Sequence, residues 1–559
     1  MFLALKNGLG RLAIFFRGLF DEYGGAAAAY SLRRLGSAYS GPLVRVRRDS
    51  DDAELDFTST TSIEDWVNGK LETTLPADVA TSSAAFSLRK VKDTYTGDAV
   101  RIRRASDDVE VDVAFDTNGA VSASSAITNV TESPDQGDTT ATTLGGFLTE
   151  GGNQDAYVQT WYDQSVNSNH ATQDVAGNQP KIAEAGALLA DGIDFDGIDD
   201  VLGFTEIPLS SSYAMFGVFD NSALPSDFIA RSAITSNSYI SLQPDGDIYW
   251  ETDTNNDGIV NVNTGTPASG TNLLSCLLAA SGTGTAFLNG TSGASASFAN
   301  TNLTVNQLGG RGTTIFNEAQ FKEIIIYNSD QSSNRFKIES NINNYYGIYT
   351  ASHNGFVHTW YDQSGNSNHA TQDTQEDDQP QIVSNGSLLA DGIDFDGVNH
   401  YLVAPDANVL DLTIPCCFFT VQKYSAIPTT FQRILAKELS SNGYNIGASS
   451  SGQFDIDIGT ADGNGGSVTT NKTVTSWIVA PDVSADNIKV YDNGALVLTT
   501  SSVTDVPANT DGLGIGARPN GTVLFDGSMS EIVIYDSDQS ANRPAIEANI
   551  ANQYNLTLS

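Results

Sequence analysis

Two short motifs contain the side chains best suited to contact a sugar. The sequence WYDQS begins at Trp161 and again at Trp360, so that Asp163 and Asp362 follow the two indole rings at the same spacing. An indole face packs on the C–H groups of a sugar ring, and a carboxylate accepts hydrogen bonds from sugar hydroxyls. Trp161, Asp163, Trp360 and Asp362 are therefore the candidate carbohydrate-binding residues. The alternative interpretation is a buried tryptophan beside a hydrogen-bonded turn.

Two other sets of residues resemble metal sites but have incomplete ligand sets. Residues 253–258 have the spacing of the start of a calcium loop, yet Thr264 stands where a bidentate acid is needed. A hairpin turn between strands at Ile248 and Ile259 is the favoured interpretation. His170 and His369 have no second His or Cys at ligand spacing, which disfavours zinc.

An acidic cluster occurs in one copy of a repeat and is partly lost in the other. The four aspartates Asp194, Asp196, Asp199 and Asp200 correspond to Asp394, Asp396, Asn399 and His400. Because a metal cluster in the first copy would be lost in the second, we interpret these groups as solvated strand and turn carboxylates. The sequence predicts no metal and no other cofactor.

Two short repeats precede the WYDQS motifs. Residues 29–57 read AYSLRRLGSAYSGPLVRVRRDSDDAELDF, and residues 85–113 read AFSLRKVKDTYTGDAVRIRRASDDVEVDV. The first half of each predicts a helix that ends near a Tyr-Ser/Thr-Gly turn, and the second half alternates with the period of a strand pair. The arginines of the second half and the carboxylates that follow predict cross-strand ion pairs rather than a polyanion site.

Two long repeats follow, at about residues 157–350 and 356–559. Fourteen of the fifteen positions from Thr160 agree with those from Thr359, and LLADGIDFDG recurs unchanged at Leu188 and Leu388. Such internal repeats indicate two copies of one structural unit.

Each long repeat ends with a short apolar strand and a helix. The helices are predicted over residues 330–346 and 538–554, with Ser329 and Ser537 as N-caps, because apolar residues recur there at four-residue spacing. The rest consists of short strand-like runs separated by Gly, Asn, Asp and Ser. This pattern predicts a mainly β fold with two tandem jelly-roll sandwiches.

Charge is distributed unevenly along the chain. Residues 1–116 carry 15 Lys and Arg against 18 acids, whereas residues 117–559 carry 13 against 49, a net of −36. So strong a negative charge repels nucleic acids and anionic membranes. The three cysteines, Cys276, Cys416 and Cys417, lie in apolar runs and predict buried free thiols.

The N-terminal segment is apolar but interrupted by Arg11 and Arg17, so it is predicted to be neither a signal peptide nor a membrane anchor. An amphipathic helix over residues 9–20 is predicted to attach the protein to a partner chain. Its contact residues would be Leu12, Phe15, Phe16, Leu19 and Phe20. The alternative is a helix that packs on the protein's own core.

The repeated motifs resemble those of a known family. The run AYS-L-R, Y-x-G, V-R-R-x-S-D-D, followed by W-Y-D-Q-S-x-N-x-N-H-A-T-Q, resembles the catalytic domain of α-L-arabinofuranosidase B, a concanavalin-like β-sandwich. The likeness covers most of residues 26–559. Phage virion structural proteins with such domains, of the lectin (LamG) type, show the same motif set and are the closer match.

The resemblance also implies where catalytic carboxyls would stand. A retaining glycosidase of this family needs two carboxyl groups about 5 to 5.5 Å apart across the scissile bond. At the family's acid/base position this sequence has Arg311 and Arg518, and the stretches nearest to its nucleophile strand, beginning at Tyr239 and Tyr444, contain no glutamate. Arginine stays protonated and cannot act as a general acid, so the sequence predicts no catalysis.

The predicted domains are an N-terminal attachment helix (1–25), two short α+β modules (26–80 and 81–139) and two lectin-like sandwiches (140–352 and 353–559). The predicted protein is a non-enzymatic component of a tailed-phage virion surface, assembled in the host cytoplasm. It would be a homo-oligomer attached to other virion proteins and would bind host glycans. The alternatives are a depolymerising glycoside hydrolase and an architectural decoration protein.

Overall fold

The computed structural model describes residues 4–6, 12–14, 18–131, 139–220, 226–230, 239–242, 248–251, 259–260, 270–298, 301–312, 314–439, 443–459, 461–481, 487–500, 503 and 505–559. Strands predominate, which confirms the prediction of a mainly β fold with sandwich-like sheets. No helix within these ranges has the length and apolarity needed to cross a membrane.

The chain forms two compact units that do not follow the linear domain division. One unit, here called the discontinuous unit, contains residues 1–68 and 352–559, and the continuous unit contains residues 69–351. The prediction that residues 26–80 and 81–139 form separate domains is therefore wrong. The first short repeat folds with the second long repeat, and the second short repeat folds with the first long repeat, because their strands pair there.

The discontinuous unit has two antiparallel layers. The first layer contains, in pairing order, Ala28–Ser31, Asp526–Tyr535, Cys416–Tyr424, Thr473–Val479, Ile488–Asp492 and Ala495–Thr500. The second layer contains Leu402–Ala404, Leu513–Ile515, Gln432–Ala436, Tyr444–Ala448, Phe454–Ile458 and Ala461–Gly465. Aromatic rings from the two layers meet between them, as in the contacts of Phe418 with Tyr444 and of Phe454 with Trp477.

The continuous unit repeats this arrangement. Its first layer contains Ala84–Ser87, Glu318–Tyr327, Tyr213–Asp220, Thr271–Leu278, Thr283–Leu288 and Thr291–Ser297. Its second layer contains Leu202–Leu209, Leu303–Leu308, Ser226–Ala230, Tyr239–Leu242, Ile248–Glu251 and Ile259–Val260. Trp250 of the second layer donates its indole hydrogen bond to Tyr213 of the first, at 2.9 Å.

The remaining strands form hairpins and extensions of these layers. In the discontinuous unit they are Ala4–Lys6, Leu12–Ile14, Val44–Arg48, Glu54–Phe57, Gly355–Trp360, Ala370–Thr371, Gln381–Ser384, Ser387–Leu388 and Ile393–Asp396. In the continuous unit they are Val100–Arg104, Glu110–Val113, Ile127–Thr131, Ala156–Trp161, Ala171–Thr172, Lys181–Glu184, Ala187–Leu188, Ile193–Asp196, Gly310–Arg311 and Ile315–Phe316.

One twelve-residue helix packs on the outer face of each first layer. The helices are Arg335–Tyr346 and Arg543–Tyr554, so the predicted helices exist but begin later than Ser329 and Ser537, with Asn334 and Asn542 at the N-cap positions. Their buried isoleucines contact the apolar residues of the layer beneath. The short helices are Ile63–Val67, Pro76–Val79 and Leu144–Thr149, with 3₁₀ turns Leu19–Asp21, Thr60–Ser62, Ala176–Asn178, Glu376–Asp378 and Asn408–Leu410.

The first half of each short repeat is a strand, so the helix predicted there is wrong. Ala28–Ser31 pairs with Asp526–Tyr535, and Ala84–Ser87 pairs with Glu318–Tyr327. All eight residues of the two strands are buried, because each strand extends the first layer. Burial in a sheet overrides the helix propensity of alanine.

The second half of each short repeat is the predicted strand pair. Arg45 bonds Asp56 across the pair at 2.8 Å, and Arg101 lies 3.0 Å from both Glu110 and Asp112. The predicted cross-strand ion pairs are thereby confirmed. These pairs leave the arginine runs neutralised rather than open to a polyanion.

A buried ion pair fixes each short repeat to the last strand of its unit. Arg33 bonds Glu531 through Nε at 2.6 Å, and Arg89 bonds Glu323 at 2.7 Å in the same geometry. Both glutamates are 0% exposed. A buried carboxylate requires a cation and hydrogen bonds, so these arginines hold the strands in register.

The described residues of the N-terminal segment do not form the predicted helix. Leu12–Ile14 is a strand paired with Ala4–Lys6. Leu19 is fully buried in the core of its own unit, and Phe20 packs against the same cluster. These two side chains therefore pack on their own unit, as the alternative interpretation has it.

Attachment through the rest of this segment stays a prediction. The side chains of Leu12, Phe15 and Phe16 lie outside the described residues. The three cysteines are buried and unbridged, which confirms the prediction of free thiols.

Substitution of Arg33 tests the buried ion pair. Arg33→Ala leaves Glu531 buried without its cation, so we expect the free energy of unfolding of the discontinuous unit to fall by about 3–5 kcal/mol. Urea denaturation followed by tryptophan fluorescence measures this change. Exposed Arg34 supplies the matched control, since Arg34→Ala is expected to change the free energy by less than about 0.5 kcal/mol. Equal effects of the two substitutions would contradict the structural role of the pair.

Candidate functional site

The outward face of the second layer carries a group of polar side chains in the discontinuous unit. Phe454–Ile458 alternates strictly, with Phe454, Ile456 and Ile458 in the core between the layers. Asp455 and Asp457 therefore point to the opposite face.

Arg433 bridges the two aspartates. Its Nη1 lies 2.6 Å from Asp455 Oδ2 and its Nη2 lies 3.1 Å from Asp457 Oδ2. Arg433 and Asp455 are almost fully buried, whereas the Asp457 side chain is 30% exposed. Arg433 thus connects the buried carboxylate of Asp455 with the solvent-accessible carboxylate of Asp457.

A second set of contacts extends the group toward the end of the layer. Asn445, directly opposite Asp457 in the strand pairing, donates from Nδ2 to Glu438 Oε1 at 2.6 Å. Arg518 Nη2 lies 3.5 Å from the same oxygen. Gly516, with φ of 78°, turns the chain two residues before Arg518, and a Cβ there would lie 2.3 Å from the Phe395 ring.

Burial and like charge change the proton affinity of these carboxyls. Burial raises the pKa of Asp455 in spite of Arg433. Burial and the nearby Asp455 raise the pKa of Asp457 to about 7, although Arg433 acts against the shift. Asp457 therefore changes charge near neutral pH.

Three buried polar atoms of the group have no hydrogen-bond partner among the described residues. They are Arg433 Nε, Asn445 Oδ1 and Arg518 Nε. Buried polar atoms normally have partners, so unpaired donors and acceptors are typical of a site completed by a polar ligand or by water. The carboxylate oxygens of Asp455, Asp457 and Asp462 lie within 4.8 Å of one another. Arg433 already bonds two of these three, so its guanidinium supplies the positive charge.

The continuous unit carries a smaller version of the same group. Glu251 lies opposite Tyr239, as Asp457 lies opposite Asn445, so a carboxylate occupies the same register in both units. The guanidinium carbon of Arg311 lies 3.8 Å from the centre of the Tyr239 ring. Burial raises the pKa of Tyr239 to about 12, with Arg311 opposing the shift.

Arg311 and Arg518 lie beside the strands that begin at Tyr239 and Tyr444. Arg311 contacts Tyr239 directly, and Arg518 meets Asn445 through their shared partner Glu438. The sequence analysis named the two arginines but missed the carboxylates Asp457 and Glu251. These come from the next strand along the sheet, and the alternation F-D-I-D-I was the one available signal.

The candidate carbohydrate-binding residues are buried. Trp161 and Trp360 are 0% exposed, Asp163 is 1% exposed and Asp362 is 2% exposed. Each indole ring packs in the core of its unit, Trp161 against Phe86 and Trp360 against a tyrosine. None of the four can stack on or bond to a sugar in this structure, and the alternative interpretation of a core tryptophan describes them correctly.

The two aspartates instead fasten the short repeats to the WYDQS turns. Asp362 accepts hydrogen bonds from the backbone N–H groups of Ala29, Ser364 and Asn368. Asp163 accepts the equivalent set, beginning with Ala85 at 2.7 Å.

The histidines of the same turns also have structural partners. His170 Nδ1 accepts a hydrogen bond from the backbone N–H of Asp163, and His369 Nδ1 accepts one from Asp362, each at 3.1 Å. An accepting ring nitrogen is unprotonated and engaged within the turn.

The other acidic sets have local roles. Asp196, Asp199 and Asp200 lie close together, and Asp200 accepts a hydrogen bond from the backbone of Asp196, while burial raises the pKa of Asp200 to about 7. Ile248–Glu251 and Ile259–Val260 pair as the predicted hairpin. Residues 252–258 between them lie outside the described residues.

The raised pKa of Asp457 makes the stability of the discontinuous unit depend on pH. The ordinary pKa of an aspartate is 3.8, so between pH 3.8 and about 7 the folded protein keeps a proton on Asp457 that the unfolded chain has lost. The stability that this proton contributes is therefore lost as the pH rises from 3.8 to about 7. Asp457→Asn removes the dependence. We expect the melting temperature of the variant, relative to wild type, to be higher at pH 8 than at pH 5 by calorimetry. Exposed Asp373→Asn should show the same offset at both pH values, and a pH-independent offset for Asp457→Asn would contradict the shift.

Comparison with known proteins places part of the chain in a described superfamily. Residues 396–543 match the model of the concanavalin A-like lectin/glucanases superfamily, and no curated protein sequence matches the chain. The chain is similar to a GH54 α-L-arabinofuranosidase at 12% identity and a TM-score of 0.34, over 81% of this chain and 99% of that one.

Two shorter structures are also similar. The CBM40 module of a Ruminococcus gnavus IT-sialidase, bound to α2,3-sialyllactose, has 12% identity and a TM-score of 0.21 over 24% of this chain and 84% of that one. Domains LG4-5 of mouse laminin α1 have 13% identity and a TM-score of 0.20 over 59% and 84%. The match of residues 396–543 identifies a concanavalin A-like lectin/glucanase domain in the discontinuous unit.

Proposed function

We propose that this protein is a non-enzymatic, glycan-binding component of a tailed-phage virion surface. The non-enzymatic part is supported by Arg311 and Arg518, which the sequence resemblance puts at the family's acid position and which lie beside the outward face of the second layer in each unit. A guanidinium donates hydrogen bonds to sugar hydroxyls or carboxylates but does not exchange protons at neutral pH.

The outward face of the discontinuous unit is the glycan-binding surface in this proposal. It offers hydrogen-bond donors on Arg433 and Arg518 and acceptors on Asp457 and Asn445. Partly exposed Arg518 and Asp457 are the groups that a sugar reaches first. The concanavalin A-like lectin match of residues 396–543 supports the assignment, since it includes this face.

The resemblance of the repeated motifs to phage structural proteins supports the proposed virion location. The net charge of −39 fits an outward-facing, soluble surface that avoids nucleic acid. Residues 1–17 would attach the chain to other virion proteins, and a homo-oligomer would present many sandwiches at once. Multivalent display raises avidity even where each site binds weakly.

Glycan binding by the full chain tests the proposal. We expect binding to host cells and to a subset of glycans on an array, reduced at least tenfold by Arg518→Ala combined with Arg311→Ala. Arg34→Ala, which removes an exposed arginine elsewhere, should leave binding unchanged. Silence on both cells and array would contradict glycan binding and favour an architectural decoration protein.

A glycoside hydrolase is the second candidate, and one observation favours it. Asp455 and Asp457 are neighbouring carboxyls, and a pKa near 7 for Asp457 suits a general acid. Against it, the two residues stand on one strand and share Arg433 rather than facing each other across a cleft. Release of reducing sugar from host polysaccharide, abolished by Asp457→Asn but not by Asp373→Asn, would establish the hydrolase and overturn the non-enzymatic proposal.

A further inference from the structure

Phe431 presents an exposed aromatic ring beside the polar group of the discontinuous unit. It directly precedes the strand Gln432–Ala436, and its side chain is 49% exposed. The guanidinium carbon of Arg433 lies 5.3 Å from the centre of the ring. A cation at this distance attracts the ring and holds it next to the polar side chains of the outward face.

Gly447 gives Arg433 the room to take up this position. It lies between Arg433 and Asp455 in the strand pairing, and because it has no side chain the guanidinium can reach Asp455 across it. A Cβ at Gly447 would lie 2.0 Å from the carbonyl oxygen of Gln432. Arg433 is 4% exposed, and its Nε has no hydrogen-bond partner among the described residues. Its guanidinium is thus fixed beside the ring with one donor left for a ligand or for water.

A ring beside hydrogen-bonding groups is the arrangement that binds a sugar. The C–H groups on one side of a sugar pack on an aromatic face, while its hydroxyls bond to carboxylates and guanidinium groups. Asp457 and Arg518, each with a side chain that is 30% exposed, supply such groups on the same outward face. Arg433 contacts the Phe431 ring and also bonds Asp457 at 3.1 Å. One short oligosaccharide can therefore touch both the ring and the carboxylate.

The charges of the outward face indicate which sugars it accepts. Its charged groups are two arginines and four carboxyls, namely Arg433, Arg518, Asp455, Asp457, Asp462 and Glu438. The carboxyls outnumber the arginines whether or not Asp457 holds a proton, and Arg433 already bonds two of them. Asp462 lies opposite Asp457 in the strand pairing and is exposed. These carboxylates repel a sugar carboxylate but accept hydrogen bonds from sugar hydroxyls.

We propose that Phe431 is the stacking platform of the glycan site and that the sugar it contacts carries no acidic group. This inference rests on the glycan binding proposed above and adds the class of sugar. Arg433 positions the ring, and Phe431 receives the apolar side of the sugar. Asp457 and Arg518 bond its hydroxyls. The site therefore selects a neutral sugar over its uronic-acid counterpart.

Substitution of Phe431 tests the stacking. Phe431→Leu keeps an apolar side chain but removes the ring, so we expect the affinity of the full chain for the glycans that it binds on an array to fall about tenfold. Phe431→Tyr keeps the ring and should stay within about twofold of wild type. Leu496→Ala is the control, since Leu496 is also exposed and apolar but lies in the first layer, and it should leave the affinity unchanged. Melting temperatures equal to that of wild type confirm that each variant is folded.

Pairs of glycans that differ in one carboxylate test the class of sugar. The array carries neutral glycans and their uronic-acid counterparts, among them glucose with glucuronic acid and galactose with galacturonic acid. For every pair that the full chain binds, we expect the neutral member to bind at least about fivefold more tightly at low salt. Asp462→Asn should narrow this difference because it removes an exposed negative charge, whereas Asp373→Asn, exposed elsewhere, should not.

The possible results separate this inference from the proposed function. Glycan binding that Phe431→Leu leaves unchanged would overturn the stacking platform while glycan binding itself stands. Equal or tighter binding of the uronic-acid members would overturn the neutral class in the same way. Absence of binding to every glycan on the array and to host cells would contradict the proposed function and this inference together.

Discussion

The structure depends on two buried carboxylates that arginines of the short repeats neutralise. Glu531 and Glu323 lie on the strands next to those of the short repeats, are fully buried, and pair with Arg33 and Arg89 from segments hundreds of positions away. A buried carboxylate without a partner lowers the free energy of unfolding by several kcal/mol, so each sandwich is stable only when the matching short repeat has joined its sheet. This requirement explains why the chain is divided into a discontinuous and a continuous unit rather than a row of modules.

The same scaffold carries different chemistry on its two outward faces. A carboxylate and an arginine keep their places in both units, as Asp457 with Arg518 and Glu251 with Arg311. Around them, the discontinuous unit adds Arg433 and a second aspartate, whereas the continuous unit has the Tyr239 ring. The buried cores of the two units are alike because close packing constrains their residues. The outward faces differ because few contacts constrain the residues there.

Local patterns predicted local structure well. The strand pairs of the short repeats and the terminal helices were predicted from the spacing of their apolar residues, and the structure contains them. The alanine-rich strand Ala28–Ser31 was predicted to be helical because its strand conformation depends on pairing with Ile532 and Ile534, which are distant in sequence. The role of Asp457 was missed for a related reason. Its partner Arg433 lies two strands away, and the sequence of neither segment determines the register between the strands. The buried WYDQS tryptophans show that a motif whose residue types suit sugar binding can instead belong to the hydrophobic core.

Amide hydrogen exchange tests whether the first short repeat belongs to the sheet of the second long repeat. In the full chain, peptides covering residues 28–31 should exchange as slowly as those covering Asp526–Tyr535, and both should accelerate together in Arg33→Ala. Rapid exchange of residues 28–31 while Asp526–Tyr535 stays protected would contradict the account.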